Sequence, residues 1–287
     1  MFVRTAEWRC DNGRTVHFGL GKYALREITD TLGSSAQVVK APGRDGATTY
    51  HVTLGQPVIN ITGSMHAPPG TLDGRLAELD KMEDELKYAF MPNQFGLLID
   101  RRANGARQIR CRAIEKPVFG RRIQASQSVD IELIADSPLW ESAEPVNLML
   151  GQELGRLRFP LRLPSIFGRY DKYGVVDNPS PEHIYPIIEI YTASEMVAVI
   201  NQTTGAKMQI DRPIAPNCKM IIDPWDARAS IWERTENGDW VYSEDASVWL
   251  AKDSTWWALA PGKNIIALSN EVVTGSVVAT VTFRIPM

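Results

Sequence analysis

The stretch Ser-Val-Asp-Ile-Glu-Leu-Ile-Ala-Asp-Ser-Pro-Leu-Trp, residues 128–140, decides the fold of the N-terminal half. Its first eight residues predict a β-strand, and residues 136–138 supply the turn signals that end it. Segments of the same kind recur between turns rich in the chain's 21 glycines and 18 prolines. Further strands are predicted at residues 50–61, 95–100, 108–115, 187–191 and 219–223. The pattern is typical of a mainly β protein.

One segment departs from this pattern and predicts an amphipathic helix over residues 71–91. Thr71 is expected to cap its first turn and Pro92 to stop it. Its apolar positions at helical spacing are Leu72, Leu76, Leu79, Met82, Leu86 and Phe90.

A tight hairpin turn is predicted at Asn237-Gly238, because this dipeptide tolerates the positive φ angles of a two-residue turn. Such a turn places Thr235 opposite Trp240 and Glu233 opposite Tyr242.

Charge and composition limit the classes of partner. The formal net charge of -3 provides no basic field for nucleic acid or an anionic membrane, so a protein or a sugar is the expected partner. The sequence shows neither a leader-like N-terminus nor an apolar run of about 18 residues, which predicts a soluble protein made without secretion. Cys10, Cys111 and Cys218 are odd in number and far apart, which favours reduced thiols.

Motifs that carry catalysis are not found in the sequence. Gly19-Leu20-Gly21-Lys22 and Pro261-Gly262-Lys263-Asn264 lack residues that nucleotide-binding loops require. The four histidines are isolated and no cysteine pair completes a zinc site. We therefore predict no catalytic residue, no cofactor and no metal, although a pair of carboxylates acting on a sugar is not visible in a sequence.

Six of the eight tryptophans fall between residues 225 and 257, beside several carboxylates. A role in a β-sandwich core is favoured, because tryptophan is usually largely buried. The alternative is a sugar site, with Trp232, Trp240 and Trp249 as the candidate contacts.

Two oppositely charged surfaces are predicted in the N-terminal half. One is the acidic helix face with Asp80, Glu83 and Asp84; the other is a basic strand face with Arg107, Arg110 and Arg112. A solvated surface is favoured over a docking surface for both. If they dock, they are candidates for an interface between subunits.

The order of these features resembles the phage distal tail protein family, also called the siphovirus tail component family. The resemblance covers residues 1–140 and rests on the following stretches: Gly43-Arg44-Asp45-Gly46-Ala47, Val58-Ile59-Asn60-Ile61-Thr62-Gly63-Ser64-Met65, the helix, Gly96-Leu97-Leu98-Ile99, Ile109-Arg110-Cys111-Arg112-Ala113 and residues 129–140. A weaker likeness to the family's C-terminal domain includes Tyr185-Pro186-Ile187-Ile188-Glu189-Ile190, where Tyr191-Thr192 stands in place of the usual glycine.

The resemblance implies two β-sandwich-type domains in a structural, non-enzymatic virion protein. Residues 1–140 would form a hexameric ring, 141–186 a linker region and domain entry, and 187–287 a jelly-roll, galectin-like domain. Implied partners are further copies of the chain, the tail tube protein, the tail tip hub protein and a receptor-binding protein, with neither membrane nor specific nucleic-acid binding. The implied location is the distal end of the virion tail, after assembly in the host cytoplasm. A carbohydrate-binding or sugar-cleaving virion protein is the alternative.

Overall fold

The computed structural model describes residues 3–39, 45, 48–152, 173–193, 197–270 and 277–287. These residues form a mainly β protein of the β-sandwich type, as the turn-rich sequence predicts. The chain divides into two compact units, the first extending to Glu144 and including Met287, the second running from Pro145 to Pro286.

The first unit contains eleven of the strands and α1. Its elements are β1 (Thr5–Cys10), β2 (Thr15–Phe18), β3 (Tyr23–Thr31), β4 (Ser34–Val39), β5 (Thr48–Leu54), β6 (Val58–His66), α1 (Leu72–Ala89), β7 (Phe95–Arg102), β8 (Gly105–Ala113), β9 (Val118–Ile123), β10 (Ser126–Ala135) and β11 (Glu141–Ser142). The main sheet has the order β2-β1-β7-β8-β10-β6-β3, with β11 beside β8 and β9 beside β10. Strands β4 and β5 form a separate two-stranded sheet.

Helix α1 confirms the sequence prediction closely. Thr71 caps it, because its hydroxyl accepts a hydrogen bond from the Gly74 N–H at 3.3 Å. The apolar stripe is buried at Leu79, Met82, Leu86 and Phe90. The helix end is fixed to the sheet by Trp8, whose indole stacks on Phe90 at 4.9 Å and donates a hydrogen bond to the Ala89 carbonyl at 2.9 Å.

The predicted single strand over residues 50–61 is wrong, since β5 ends at Leu54 and β6 begins at Val58. Pro57 has no N–H for a ladder hydrogen bond. The Gly55 N–H donates to the Gly33 carbonyl at 2.7 Å, which continues the β4–β5 pairing instead of leading into β6. The two strands then join different sheets, β5 with β4 and β6 with β3 and β10.

The second unit packs two antiparallel sheets face to face. Its strands are β12 (Val146–Gln152), β13 (Tyr173–Asn178), β14 (Ile187–Ala193), β15 (Val197–Asn201), β16 (Ala206–Ile210), β17 (Ile214–Asp223), β18 (Arg228–Arg234), β19 (Trp240–Asp245), β20 (Gly262–Asn270) and β21 (Val277–Phe283). One sheet has the order β12-β21-β14-β17-β18-β19 and the other β13-β20-β15-β16. Their inner faces share one apolar core, to which Ile190, Val199 and Ile266 contribute.

The range assigned to a linker, 141–186, contains strands β11, β12 and β13. Strands β12 and β13 are integral to the sheets of the second unit, where they pair with β21 and β20. Residues 153–172 of that range lie outside the described residues. So does the stretch 43–47 quoted for the family resemblance, apart from Asp45.

The predicted two-residue turn at Asn237-Gly238 is also wrong by one residue. Arg234 pairs with Trp240, and Thr235 closes the loop through its N–H to the Asp239 carbonyl at 2.8 Å. The loop therefore has three residues, with Gly238 at φ 91° supplying the left-handed position. The shift places Trp232 opposite Tyr242.

Candidate interaction surfaces

The acidic face of α1 is largely neutralised within its own chain. Arg122 of β9 reaches across to it and bonds Asp80 and Glu83, each at 2.6 Å, while Lys87 lies 3.4 Å from Asp84. Burial opposes ionisation of Glu83, but hydrogen bonds from Arg122 and Lys87 outweigh it and hold the pKa of that carboxyl below its usual value. The helix thus presents ion pairs rather than a bare acidic surface.

The basic strand face consists of Arg110 and Arg112 on the solvent side of β8. Both are exposed, whereas their neighbours Ile109, Cys111 and Ala113 are buried. Arg110 pairs with Asp11 at 2.6 Å, and the Arg112 guanidinium lies 5.5 Å from the centre of the Phe95 ring. These contacts leave two cationic side chains accessible on one surface.

Arg107 does not belong to that face, which corrects its place in the candidate interface. Side chains alternate along a strand, so Arg107 leaves β8 on the same side as Ile109 and is only 8% exposed. Its guanidinium lies 3.7 Å from the centre of the Trp140 ring. It also bonds the carboxylates of Asp100 at 3.0 Å and Asp30 at 3.2 Å.

Asp100 is the centre of this buried ion-pair network. Its fully buried carboxylate accepts two hydrogen bonds from Arg4, at 2.9 and 2.8 Å, and one from Arg102 at 2.7 Å, besides that from Arg107. Trp140 joins the network by donating its indole N–H to Asp30 at 2.6 Å. Residues 136–140 therefore end at Trp140 against Asp30 of β3 and Arg107 of β8.

The members of the tryptophan cluster lie in different environments. Trp257 is in the core, 3% exposed, and donates its indole N–H to the Val199 carbonyl at 3.3 Å. Trp249 packs against the core edge, with the Arg212 guanidinium 5.2 Å from its ring centre. Trp225, by contrast, is 75% exposed. The core interpretation therefore holds for Trp257 and fails for Trp225.

Trp232 and Trp240 lie on the outer face of the six-stranded sheet. Trp232 contacts Tyr242 edge to face at 6.0 Å, and Trp240 contacts Tyr191 in the same way at 6.1 Å. The Lys219 ammonium lies 5.0 Å from the Trp240 ring centre. The structure brings together two of the three candidate sugar contacts and separates Trp249 from them.

A polar pair lies among these rings on the same outer face. Lys219 is 9% exposed and bonds Glu189 at 3.1 Å, and the Tyr191 hydroxyl donates to the same carboxylate. Burial, together with this hydrogen bond and the charge of Glu189, raises the pKa of Tyr191 to about 12. The hydrogen bond to Glu189 restrains the orientation of the Tyr191 ring.

Within the part of the chain that the structure describes, no group of three or more His, Cys, Asp or Glu side chains is placed to hold a metal ion. The same residues include no helix with the length and apolarity needed to span a bilayer. The three cysteines are free thiols, and burial raises the pKa of Cys111 and Cys218.

Comparison with solved structures extends over the whole chain. The Dit protein (gp 19.1) of phage SPP1, described as a paradigm of the hub adsorption apparatus in phages that infect Gram-positive bacteria, aligns with a TM-score of 0.65 at 12% identity and covers 100% of both chains. The chain has the fold of a phage Dit protein. This chain also aligns with chains of the phage P2 baseplate in its activated conformation with Ca and with Sr. Each alignment has a TM-score of 0.55 and 10% identity, and covers 99% of this chain and 98% of the other.

This fold agrees with the family resemblance that the sequence shows at residues 1–140 and, more weakly, in the second unit. No family model matches the sequence, and no curated protein matches it. The likeness therefore lies in the three-dimensional fold rather than in amino-acid identity.

Proposed function

We propose that this chain is a distal tail protein of a long-tailed phage, a non-enzymatic structural component that joins the tail tube to the tail tip or baseplate hub. The observation that carries the proposal is the full-length match to a phage hub protein, 100% of both chains at a TM-score of 0.65. A shared insertion or a single shared domain would not give end-to-end coverage of a two-unit chain. The proposed location is the distal end of the virion tail, after assembly in the host cytoplasm.

We infer that six copies form a ring through the first unit. The separate sheet of β4 and β5 supports self-assembly, because an isolated two-stranded sheet is marginally stable in water and gains most from a covering partner. Its valines Val38 and Val52 are 51% and 53% exposed, and apolar side chains in such a setting mark protein contacts. A neighbouring copy would supply the missing cover.

The charged surfaces are proposed to guide that assembly. Arg110 and Arg112 of one copy would approach the acidic face of α1, with Asp80, Glu83 and Asp84, in the next. Because each of these groups already has a partner or a ring contact in its own chain, the contribution should lie in encounter and register more than in affinity.

The ring would serve as an adaptor and needs neither cofactor nor catalytic group. Its proposed partners are the tail tube protein on one side and the tail tip hub protein on the other, with a receptor-binding protein attached further out. Membrane and specific nucleic-acid binding are not part of this function, which agrees with the net charge of -3.

A second candidate function is carbohydrate binding by the second unit, with its proposed jelly-roll, galectin-like fold. The specific observation in its favour is the aromatic outer face that carries Trp232 and Trp240. Carbohydrate binding by the second unit is compatible with a structural role of the chain.

The direct test of the structural role is antibody labelling of intact phage particles that contain this chain. Gold-conjugated antibodies raised against the purified chain should label the tail end away from the capsid, once per particle. Labelling of the capsid or along the whole tail tube, or a protein found only in infected cells and not in virions, would contradict the proposal.

A further inference from the structure

Four side chains of the six-stranded sheet form one transverse row on its outer face. The strand pairing sets Tyr191 opposite Lys219, Lys219 opposite Trp232, and Trp232 opposite Tyr242. Adjacent strands are about 4.8 Å apart, so the row is about 14 Å long. Trp240 lies beside the row, in contact with Tyr191 and Lys219. The row therefore presents aromatic rings at each end of an ammonium group.

The rings are held in fixed orientations before any ligand arrives. The Tyr191 hydroxyl is bound to Glu189, and the Trp232 indole N–H donates to the Ser230 hydroxyl at 3.0 Å. The Lys219 ammonium lies between two rings, 5.7 Å from the centre of Tyr191 and 5.0 Å from that of Trp240. Groups ordered in advance lose little conformational entropy when they bind a ligand.

The size of the row distinguishes a small ligand from a protein partner. Its length of about 14 Å and the repeat of about 7 Å along a strand enclose on the order of 100 Å². A stable protein interface needs about 800 Å² on each side, which is several times larger. A small ligand fits this area better than a protein does. A pyranose sugar suits the chemistry, because its apolar C–H face stacks on an aromatic ring while its hydroxyls bond the carboxylate and the ammonium group.

We propose that this outer face binds an oligosaccharide of pyranose sugars, with Trp232, Trp240 and Tyr242 as stacking platforms and Lys219 with Glu189 as hydrogen-bonding groups. The inference deepens the second candidate function by replacing Trp249 with Tyr191, Lys219 and Tyr242. It does not depend on ring formation, since every residue of the row belongs to the second unit. Binding can therefore succeed or fail independently of the structural role.

The test uses the full-length chain on an array of linear oligosaccharides of glucose, galactose, rhamnose and N-acetylglucosamine, four to six sugars long. The best-bound oligosaccharide is then titrated while tryptophan fluorescence is followed. We expect Trp232→Ala and Trp240→Ala each to weaken binding at least about tenfold, a loss of about 1.4 kcal/mol. Tyr242→Ala, at a side chain already 43% exposed, should weaken binding several-fold without affecting folding.

The matched control is Trp225→Ala, which removes an exposed indole outside the row and should leave affinity unchanged. Melting curves of all variants exclude a loss of binding caused by unfolding. The proposal is overturned if the wild-type chain binds none of the oligosaccharides at millimolar concentration, if the folded row variants bind like the wild type, or if Trp225→Ala weakens binding as much as they do.

Discussion

Asp100→Ala should destabilise the first unit strongly, because it removes the acceptor at the centre of a buried ion-pair network. The carboxylate is fully buried and accepts hydrogen bonds from Arg4, Arg102 and Arg107. Without it, the guanidinium of Arg107, 8% exposed, keeps Asp30 as its remaining ionic partner. Removing one partner of a buried pair costs about 3–5 kcal/mol, since the remaining charge stays desolvated.

The other two arginines should add little to that cost. The side chains of Arg4 and Arg102 are 34% and 36% exposed, so water can solvate them once Asp100 is gone. With a urea dependence of about 2 kcal/mol per M, the expected loss lowers the unfolding midpoint of the first unit by about 1.5–2.5 M. Hydrogen exchange read by mass spectrometry on peptides from β7 and β8 assigns the transition to this unit.

The matched control is Asp11→Ala, which breaks an exposed pair with Arg110 and should cost about 0–1 kcal/mol. A second variant, Asp100→Leu with Arg107→Met, removes both buried charges and should be closer to the wild type than Asp100→Ala. If Asp100→Ala unfolds at the same urea concentration as Asp11→Ala, the network contributes no more than a surface pair and the reasoning is refuted.

Three further outcomes are expected. Trp257→Ala should lower the free energy of unfolding of the second unit by about 3–5 kcal/mol, because it leaves a cavity in the core. Trp225→Ala, at an exposed side chain, should change it very little. Equal melting temperatures of the two variants would show that Trp257 is not a core residue. The fraction of chains in rings should fall as salt is raised, because screening acts over about 8 Å at 0.15 M. The double variant Arg110→Glu with Arg112→Glu, which reverses both charges, should fail to form rings. If the double variant forms rings as well as the wild type at every salt concentration, these arginines are only a solvated face. The first unit should lose stability as pH falls below about 4.5, because Glu83 and Glu85 have lowered pKa values in the folded state and the unfolded state therefore binds more protons in this range. The free energy of unfolding, measured at about pH 6 and about pH 4, should change less between the two pH values in Glu83→Gln than in the wild type. An equal change in the two proteins would contradict this assignment.

The elements predicted from sequence are those whose signal is local. Helix α1 has its cap at Thr71 and its apolar stripe within one continuous segment, so a period of 3.6 residues was enough to find it. The signal for the break between β5 and β6 is also local, in Gly55 and Pro57. The apolar residues on both sides of it nevertheless favour the prediction of one continuous strand. The alternation of side chains along β8 indicates that Arg107 lies on the buried side with Ile109. It does not indicate the carboxylate partners of Arg107, because these lie on other strands.

The candidate surfaces depend on pairing between distant segments, which no single window of sequence contains. Asp100 meets Arg4 across 96 residues of chain, and Arg122 reaches Asp80 across 42. The aromatic row needs three strand pairings, β14 with β17, β17 with β18 and β18 with β19. A one-residue error in the β18–β19 turn would set Glu233 instead of Trp232 opposite Tyr242. Sequence alone therefore indicated that Trp232 and Trp240 were candidates, without showing that Tyr191 and Lys219 stand beside them.

The most direct test of the proposed role is the mass and symmetry of the assembly formed by the purified full-length chain. Native mass spectrometry should give a species of about 192 kDa, six times the 32.0 kDa of one chain, and negative-stain class averages should show a six-fold ring with a central opening. A chain that remains a 32.0 kDa monomer at concentrations well above those of the assay, or that forms a closed ring of another symmetry, would contradict the hexameric distal tail ring.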